Sequence, residues 1–256
     1  MSQPILSAVL VTIRHMANPA VLLFNHLVQW NPPTNNQGAY LQPRKHRNLT
    51  SNFDHALKMH EVAMSYIGQI RELLDTLEQT TDYDVDEYRS ELPNWTAMVL
   101  SYDNGWQNGV PFDGASLRWL KTLGSLLDNL VPKYDDEDVA ALSEGLNELL
   151  RLVAKEKTLN RSLTVYLLTL INHVRYVLHD YHLRGDFELA RATTLLRETI
   201  RTAGDASTNQ ELKPWYKKLL GVFSQKEVLP STLQLGTAVT KAIEASQGIL
   251  PPGHGG

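Results

Sequence analysis

The chain has 256 residues, of which 43% are hydrophobic and 20% are charged, and its formal net charge is −4. This composition excludes a wholly disordered chain and argues against a broadly basic surface for nucleic acid or anionic lipid. The chain contains no cysteine, which excludes disulfides, thiolate metal sites and cysteine nucleophiles.

The apolar runs are too short to span a bilayer. Runs such as residues 165–171 fall far below the roughly 20 residues that a transmembrane helix needs. The N-terminal sequence MSQPILSAVLVTIRH has no positive charge before its apolar stretch, unlike a signal peptide. We therefore predict a cytoplasmic protein without transmembrane insertion.

The first 30 residues are predicted to form a short apolar helical arm. Apolar residues recur at helical spacing over residues 5–16, Asn18-Pro19 should break or bend the helix, and residues 21–30 resume it. Residues 31–48 are rich in Pro, Asn and Gly and lack periodicity. They predict a linker or a long exposed loop between the arm and the main body.

This predicted linker ends in a dense basic cluster, with Tyr40 nearby; the cluster consists of Arg44, Lys45, His46 and Arg47. Such a cluster could contact nucleic acid or phosphate. A solvated loop is the favoured interpretation, because four charges without a neighbouring aromatic series are common.

A long helix is predicted to begin near Ser51, a plausible N-cap. Its apolar stripe follows the three-and-four spacing of one helix face, at Phe53, Leu57, His60, Met64, Ile67, Arg71 and Leu74. His60 lies on this stripe, which favours a core histidine or an interhelical hydrogen-bond partner. His55 and His60 are five residues apart and therefore lie on different faces, so the spacing argues against a shared zinc ion.

Residues 101–114 form the clearest turn-rich interruption, with Asn-Gly at residues 104–105 and again at 108–109. A simple connector is the favoured interpretation. The alternative is a surface recognition loop in which Trp106 and Phe112 are exposed anchors.

The remainder of the chain also has helical periodicity. Helices are predicted from Asp113 to about Val131, after the acidic run at residues 135–138, over residues 159–185, from Asp186 to about Ala203, near residues 213–218 and over residues 230–243. The acidic run suits the partial positive charge of a helix N-terminus better than it suits a metal site. The predicted fold is an all-α, multi-helix bundle with long amphipathic helices and a short N-terminal helical arm. Its predicted divisions are the arm at 1–30, the linker at 31–48, the main bundle at 49–247 and a disordered tail at 248–256.

The helix predicted over residues 159–185 contains the one weak catalytic candidate, formed by Arg175, His179 and His182. Arg175 and His182 are seven residues apart, which is two helical turns, so on one helix they would project from nearly the same face. An arginine that holds a phosphate and a histidine that moves a proton are what metal-independent RNA cleavage needs.

The spacing Arg175-x6-His182 resembles the short Arg/His signature of HEPN-type helical nucleases. The resemblance covers one helix, and Tyr176 stands where that motif usually has a polar residue. It implies a helical-bundle ribonuclease that works as a dimer, with Arg175 and His182 as its catalytic pair. The alternative is structural, because Arg and His near a helix C-terminus favour the helix dipole and can cap its last carbonyl groups.

The chain has no Walker loop, no dinucleotide-binding glycine fingerprint and no GxSxG elbow. We therefore predict no cofactor and no metal. The leading hypothesis is a non-catalytic helical-bundle protein that acts through self-association or binding to a protein partner. The alternatives are the HEPN-like ribonuclease and a binder of a small anionic ligand between helices, with Arg175 and His179 as contacts; nucleic acid is a weaker partner candidate.

Overall fold

A computed structural model describes residues 18–101, 105–155, 157, 159–206, 210 and 212–221. Within these ranges the protein is all-α, as the sequence predicted, with nine helices and no strand. The helices are α1 (Pro19–Trp30), α2 (Pro43–His46), α3 (Phe53–Thr80), α4 (Asp86–Leu100), α5 (Gly114–Leu127), α6 (Asp136–Lys155), α7 (Arg161–His179), α8 (Tyr181–Ala206) and α9 (Leu212–Gly221). The helices predicted at 5–16 and 230–243 and the tail at 248–256 lie outside the described residues.

The chain divides into two compact units. The first contains the described residues up to Lys133 together with Leu183–Phe187, and the second contains Tyr134–His182 and the described residues from Glu188 onward. The predicted division at residues 30 and 48 remains a prediction, because it concerns different positions in the chain.

Helix α1 is part of the core of the first unit, where it packs against α3 and α5. Leu23 and Leu27, one helical turn apart, are fully buried. Asn18 caps the helix by accepting hydrogen bonds from the amides of Ala20 and Val21, and its side-chain amide donates to the carbonyl of Gly124 at 2.9 Å. Residues 19–30 are therefore packed against neighbouring helices of the same chain.

The segment predicted as a linker contains ordered backbone. Thr34 and Tyr40 form an isolated antiparallel bridge, and Pro43 occupies the first turn of α2, where its missing amide hydrogen costs nothing. Pro43 and Arg47 are buried. The segment therefore contributes side chains to the first unit.

In the second unit α6 packs against α7. The predicted role of the acidic run is confirmed, because α6 begins at Asp136 and the side chains of Asp135 and Asp138 each accept a hydrogen bond from the other's backbone amide, at 2.8 and 2.9 Å. In the same unit Tyr216 of α9 is buried against Gly204 of α8.

The prediction of a single helix over residues 159–185 is wrong. Helix α7 ends at His179, Asp180 has non-helical backbone angles, and α8 begins at Tyr181. Asp interrupts helices readily because its short polar side chain competes for local hydrogen bonds. Gly185 adds a second break with φ of 75°, a left-handed conformation that glycine adopts without steric cost.

None of the helices in the described ranges combines the length and the apolarity needed to cross a membrane.

Candidate functional site

The three predicted site residues lie on two successive helices of the second unit. Arg175 and His179 belong to α7, His179 being its last residue, whereas His182 follows the break in α8. All three side chains are exposed, His179 to 84%. The argument that Arg175 and His182 project from one helix face is therefore wrong, because the two residues do not share a helix.

The position of His179 fits the structural alternative. Its Nδ1 lies 3.1 Å from Oδ1 of the buried Asp180, the residue that ends α7. A histidine in the last turn also suits the partial negative charge of a helix C-terminus. The catalytic and anion-binding roles of Arg175, His179 and His182 remain predictions.

The densest set of polar and aromatic contacts lies in the first unit, around Arg47. This side chain is only 4% exposed. Its Nη1 donates to the carbonyl of Val99 at 2.6 Å, and its Nη2 donates to the carbonyl of Met98 at 2.9 Å. These carbonyls belong to the last turn of α4, which lacks partners within its own helix. Arg47 therefore caps α4 from a distant part of the chain.

Aromatic rings enclose the same guanidinium group. Its central carbon lies 4.6 Å from the ring centroid of Trp30, 5.4 Å from that of Trp106 and 5.7 Å from that of Phe112. Cation–π attraction and the partial negative charge of the helix end offset the cost of burying the cation. Burial lowers the pKa of Arg47 to about 10, so the side chain remains charged at neutral pH. We call Arg47, Trp30, His60, Trp106 and Phe112 the arginine cage.

His60 completes the cage as a neutral hydrogen-bond acceptor. Its Nε2 lies 3.3 Å from Nη1 of Arg47, which can only donate, and its Nδ1 lies 2.7 Å from the carbonyl of Ala56. The proton therefore belongs on Nδ1. The pKa of His60 is lowered, first by burial and then by the charge of Arg47, although the bond to Ala56 opposes the shift. His60 is therefore a hydrogen-bond partner, as predicted, but its partners are Arg47, which follows α2, and Ala56 of its own helix rather than a second helix.

The structure divides the basic cluster into inward and outward side chains. Arg47 is enclosed in the cage, and Nε2 of His46 lies 2.7 Å from the carbonyl of Gln29. Arg44 and Lys45 are exposed. A fully solvated loop was therefore the wrong expectation for this cluster.

Trp106 and Phe112 are not the exposed anchors of the alternative interpretation. Both are partly buried and turned toward Arg47. The sequence contains no spacing signal that links position 47 to positions 30, 60 and 106, because these contacts join residues that are distant along the chain. The isolated Asn-Gly pairs predicted a turn but not what the turn packs against.

The loop after α4 packs tightly on the segment before α2. A Cβ atom added at Gly109 would collide with the carbonyl oxygen of Leu41 and lie 2.8 Å from Cβ of Tyr40. This close approach brings the backbone of residues 109–110 beside residues 40–41. Three apolar side chains in these two segments are exposed, Tyr40 to 42%, Leu41 to 36% and Val110 to 42%. The amide of Arg44 donates to the carbonyl of Trp106 in the same loop at 3.1 Å. We call Tyr40, Leu41, Arg44, Lys45 and Val110 the apolar–basic surface.

A cavity of about 380 Å³ adjoins this surface. Its walls include Val110, Pro111 and Phe112 on one side and the last turns of α4 on another. Ser101, a residue 8% exposed, lies in this wall, and its hydroxyl has no hydrogen-bond partner among the residues that the structure describes. Such a cavity offers both apolar contacts and polar groups, among them the hydroxyl of Ser101.

Comparison of the chain with protein-family models, with curated proteins and with solved structures gives no match.

Proposed function

We propose that the protein acts by association, with a second copy of itself or with a protein partner, through the apolar–basic surface. The observation that supports this proposal is the clustering of Tyr40, Leu41 and Val110 around Gly109 while all three remain exposed. Single exposed apolar residues are ordinary, but a group beside cations is typical of a contact surface.

The hydrogen bonds that hold the backbone behind this surface favour the same function. Arg47, which follows α2, donates hydrogen bonds to the end of α4, and the amide of Arg44 donates a hydrogen bond to the carbonyl of Trp106 in the loop. Side chains presented on a fixed backbone lose less conformational entropy when a partner binds. The surface is thus ordered before binding.

Size-exclusion chromatography with light scattering tests the proposal. The wild-type protein should have a mass above that of one chain, and the mass should fall with dilution. The double variant Leu41→Ser/Val110→Ser should have the mass of one chain at the same concentration. Val165→Ser removes another exposed valine, from α7, and should leave the mass unchanged. A wild-type mass of one chain at every concentration would reject self-association.

Deletion of residues 1–48 is unsuitable for this test. It would remove Leu23 and Leu27, which are fully buried in the core of the first unit, and also Arg47. Any loss of association could then reflect unfolding. Point substitutions at exposed positions avoid this difficulty because they change stability by only about 0.5 kcal/mol.

The proposed setting is the cytoplasm, since a chain without cysteine is compatible with a reducing compartment. No contact among the described residues favours the ribonuclease or the anion-binding alternative over association.

A further inference from the structure

The two ends of α4 carry opposite charge. Arg47 holds the C-terminal end of α4 next to the apolar–basic surface. Residues 82–87, which we call the acidic turn, precede and open its N-terminal end. The helix has 15 residues and is therefore about 22 Å long. This length exceeds the Debye length of about 8 Å at physiological ionic strength, so the two ends act as separate charged regions.

The acidic turn exposes four carboxylates and one aromatic ring. The side chain of Asp84 accepts a hydrogen bond from the amide of Asp86, the first residue of α4, at 3.0 Å, and the carboxylates of Asp86 and Glu87 favour the helix dipole. Asp82 and Tyr83 precede the helix, and the Tyr83 side chain is 45% exposed.

No ion pair among the described residues includes a carboxylate of this turn. Arg89 is bound instead to Asp75 at 3.1 Å and to Glu78 at 2.7 Å. The hydroxyl of Tyr83 is hydrogen bonded to Tyr88; burial, followed by this bond, raises the pKa of Tyr88 to about 12. The ring of Tyr83 is therefore oriented while much of it remains exposed.

The apolar–basic surface has the complementary character. Among the described residues no carboxylate forms an ion pair with Arg44 or Lys45. The neighbouring Asp113 is engaged at the start of α5, where it accepts a hydrogen bond from the amide of Ser116 at 2.8 Å. Two cations therefore stand beside three exposed apolar side chains.

We propose that the acidic turn of one copy docks on the apolar–basic surface of a second copy, an inference that rests on the proposed function above. Tyr83 supplies apolar contact area to Leu41 and Val110, the second of which also lines the adjoining cavity. Asp82 and Glu87 face Arg44 and Lys45. Complementary charge sets the orientation and speeds the encounter, and the apolar contacts hold the complex together.

The geometry makes this contact head-to-tail. One copy cannot join its own turn to its own surface, because α4 separates them by about 22 Å. Each copy therefore offers one turn and one surface to two different neighbours. Such contacts build open chains, or rings where the rotation closes.

Complementary charge reversal tests the inference by sedimentation velocity on the full chain. Arg44→Glu/Lys45→Glu reverses the charge of the surface, and Asp82→Lys/Glu87→Lys reverses the two carboxylates of the turn that face it, while Asp84 and Asp86 stay in place. Each double variant alone should associate at least about tenfold more weakly than wild type, because like charges then meet. An equimolar mixture of the two should recover association, because each charged region then finds an opposite partner.

Two control variants reverse exposed charges elsewhere in the first unit. Lys121→Glu lies on α5 and Glu61→Lys lies on α3, and both should associate as wild type does. Circular dichroism should show unchanged helix content in every variant.

Three results would overturn the inference. Wild-type association that persists in either double variant rejects this contact but leaves association through Leu41 and Val110 intact. A mixture of the two double variants that stays monomeric while wild type associates rejects the contact between the turn and the surface. It does not reject association through Leu41 and Val110. A wild-type protein that is monomeric at every concentration rejects both this contact and self-association.

Discussion

The guanidinium carbon of Arg47 lies 4.6 Å from the ring centroid of Trp30, while the same group donates two hydrogen bonds to the last turn of α4. This one relationship joins three segments that are distant in sequence: the end of α1, the residue after α2 and the end of α4. The apolar–basic surface lies on the loops that these contacts hold together.

Replacement of Arg47 should destabilise the first unit strongly. Arg47→Ala removes two charge-assisted hydrogen bonds and leaves the carbonyls of Met98 and Val99 without that donor, so the free energy of unfolding should fall by about 2–4 kcal/mol. Arg47→Lys should recover only part of this loss, because an ammonium lacks the planar fork that reaches both carbonyls. Urea unfolding measures both changes.

The exposed Arg44 provides the matched control. Arg44→Ala should change the free energy of unfolding by no more than about 0.5 kcal/mol. Equal losses at positions 44 and 47 would contradict the structural role of the arginine cage.

The stability of the protein should fall as the pH decreases below about 6.5. The pKa values of His26 and His60 are lowered from an ordinary value of 6.5, in both cases chiefly by burial. The unfolded chain therefore binds these protons first. The contribution of the two neutral histidines to the free energy of unfolding is complete above pH 6.5. It is lost as the pH falls toward and through the lowered pKa values, at no more than about 1.4 kcal/mol per pH unit for each histidine.

The double variant His26→Gln/His60→Gln isolates this effect. Its free energy of unfolding should depend less on pH between 7 and 5 than that of wild type, whatever its absolute stability. Chemical denaturation at several pH values measures the two slopes. A wild-type stability that does not change over this range would contradict the neutral state of both histidines.

Two glycines within helices should respond oppositely to alanine. A Cβ at Gly124 would lie 2.8 Å from Cγ2 of Val21, where α5 meets α1, whereas a Cβ at Gly68 would meet nothing within 4 Å. Gly68→Ala should raise the free energy of unfolding by about 0.5–1 kcal/mol through helix propensity. Gly124→Ala should lower it by about 1–3 kcal/mol, because the two helices must move apart.

Thermal or urea unfolding of both alanine variants gives this comparison directly. An equal gain in stability at positions 68 and 124 would show that α1 does not approach α5 closely in solution.

Local periodicity predicted most of the fold but little of the arginine cage. The three-and-four spacing from Phe53 to Leu74 predicted that α3 is a helix. It did not predict the buried face, because Phe53 and Leu57 are exposed and only Ile67 and Leu74 of the stripe are buried. The same reasoning predicted one continuous helix across Asp180, because one polar residue does not interrupt a pattern of apolar spacing. It could not assign Arg47, because the partners of this side chain are a helix end and rings brought near by tertiary packing. The sequence also could not predict that Tyr40, Leu41 and Val110 lie near one another, because this depends on the close approach of Gly109 to residues 40–41.

Hydrogen–deuterium exchange at two protein concentrations tests the central claim most directly. If the apolar–basic surface mediates association, backbone amides in residues 38–46 and 105–112 should exchange more slowly at the concentration where the protein associates. Amides in Arg161–His179, which carries the exposed Val165 and Tyr176, should exchange at the same rate in both samples. Slower exchange confined to Arg161–His179, with no change around Leu41 and Val110, would contradict the claim.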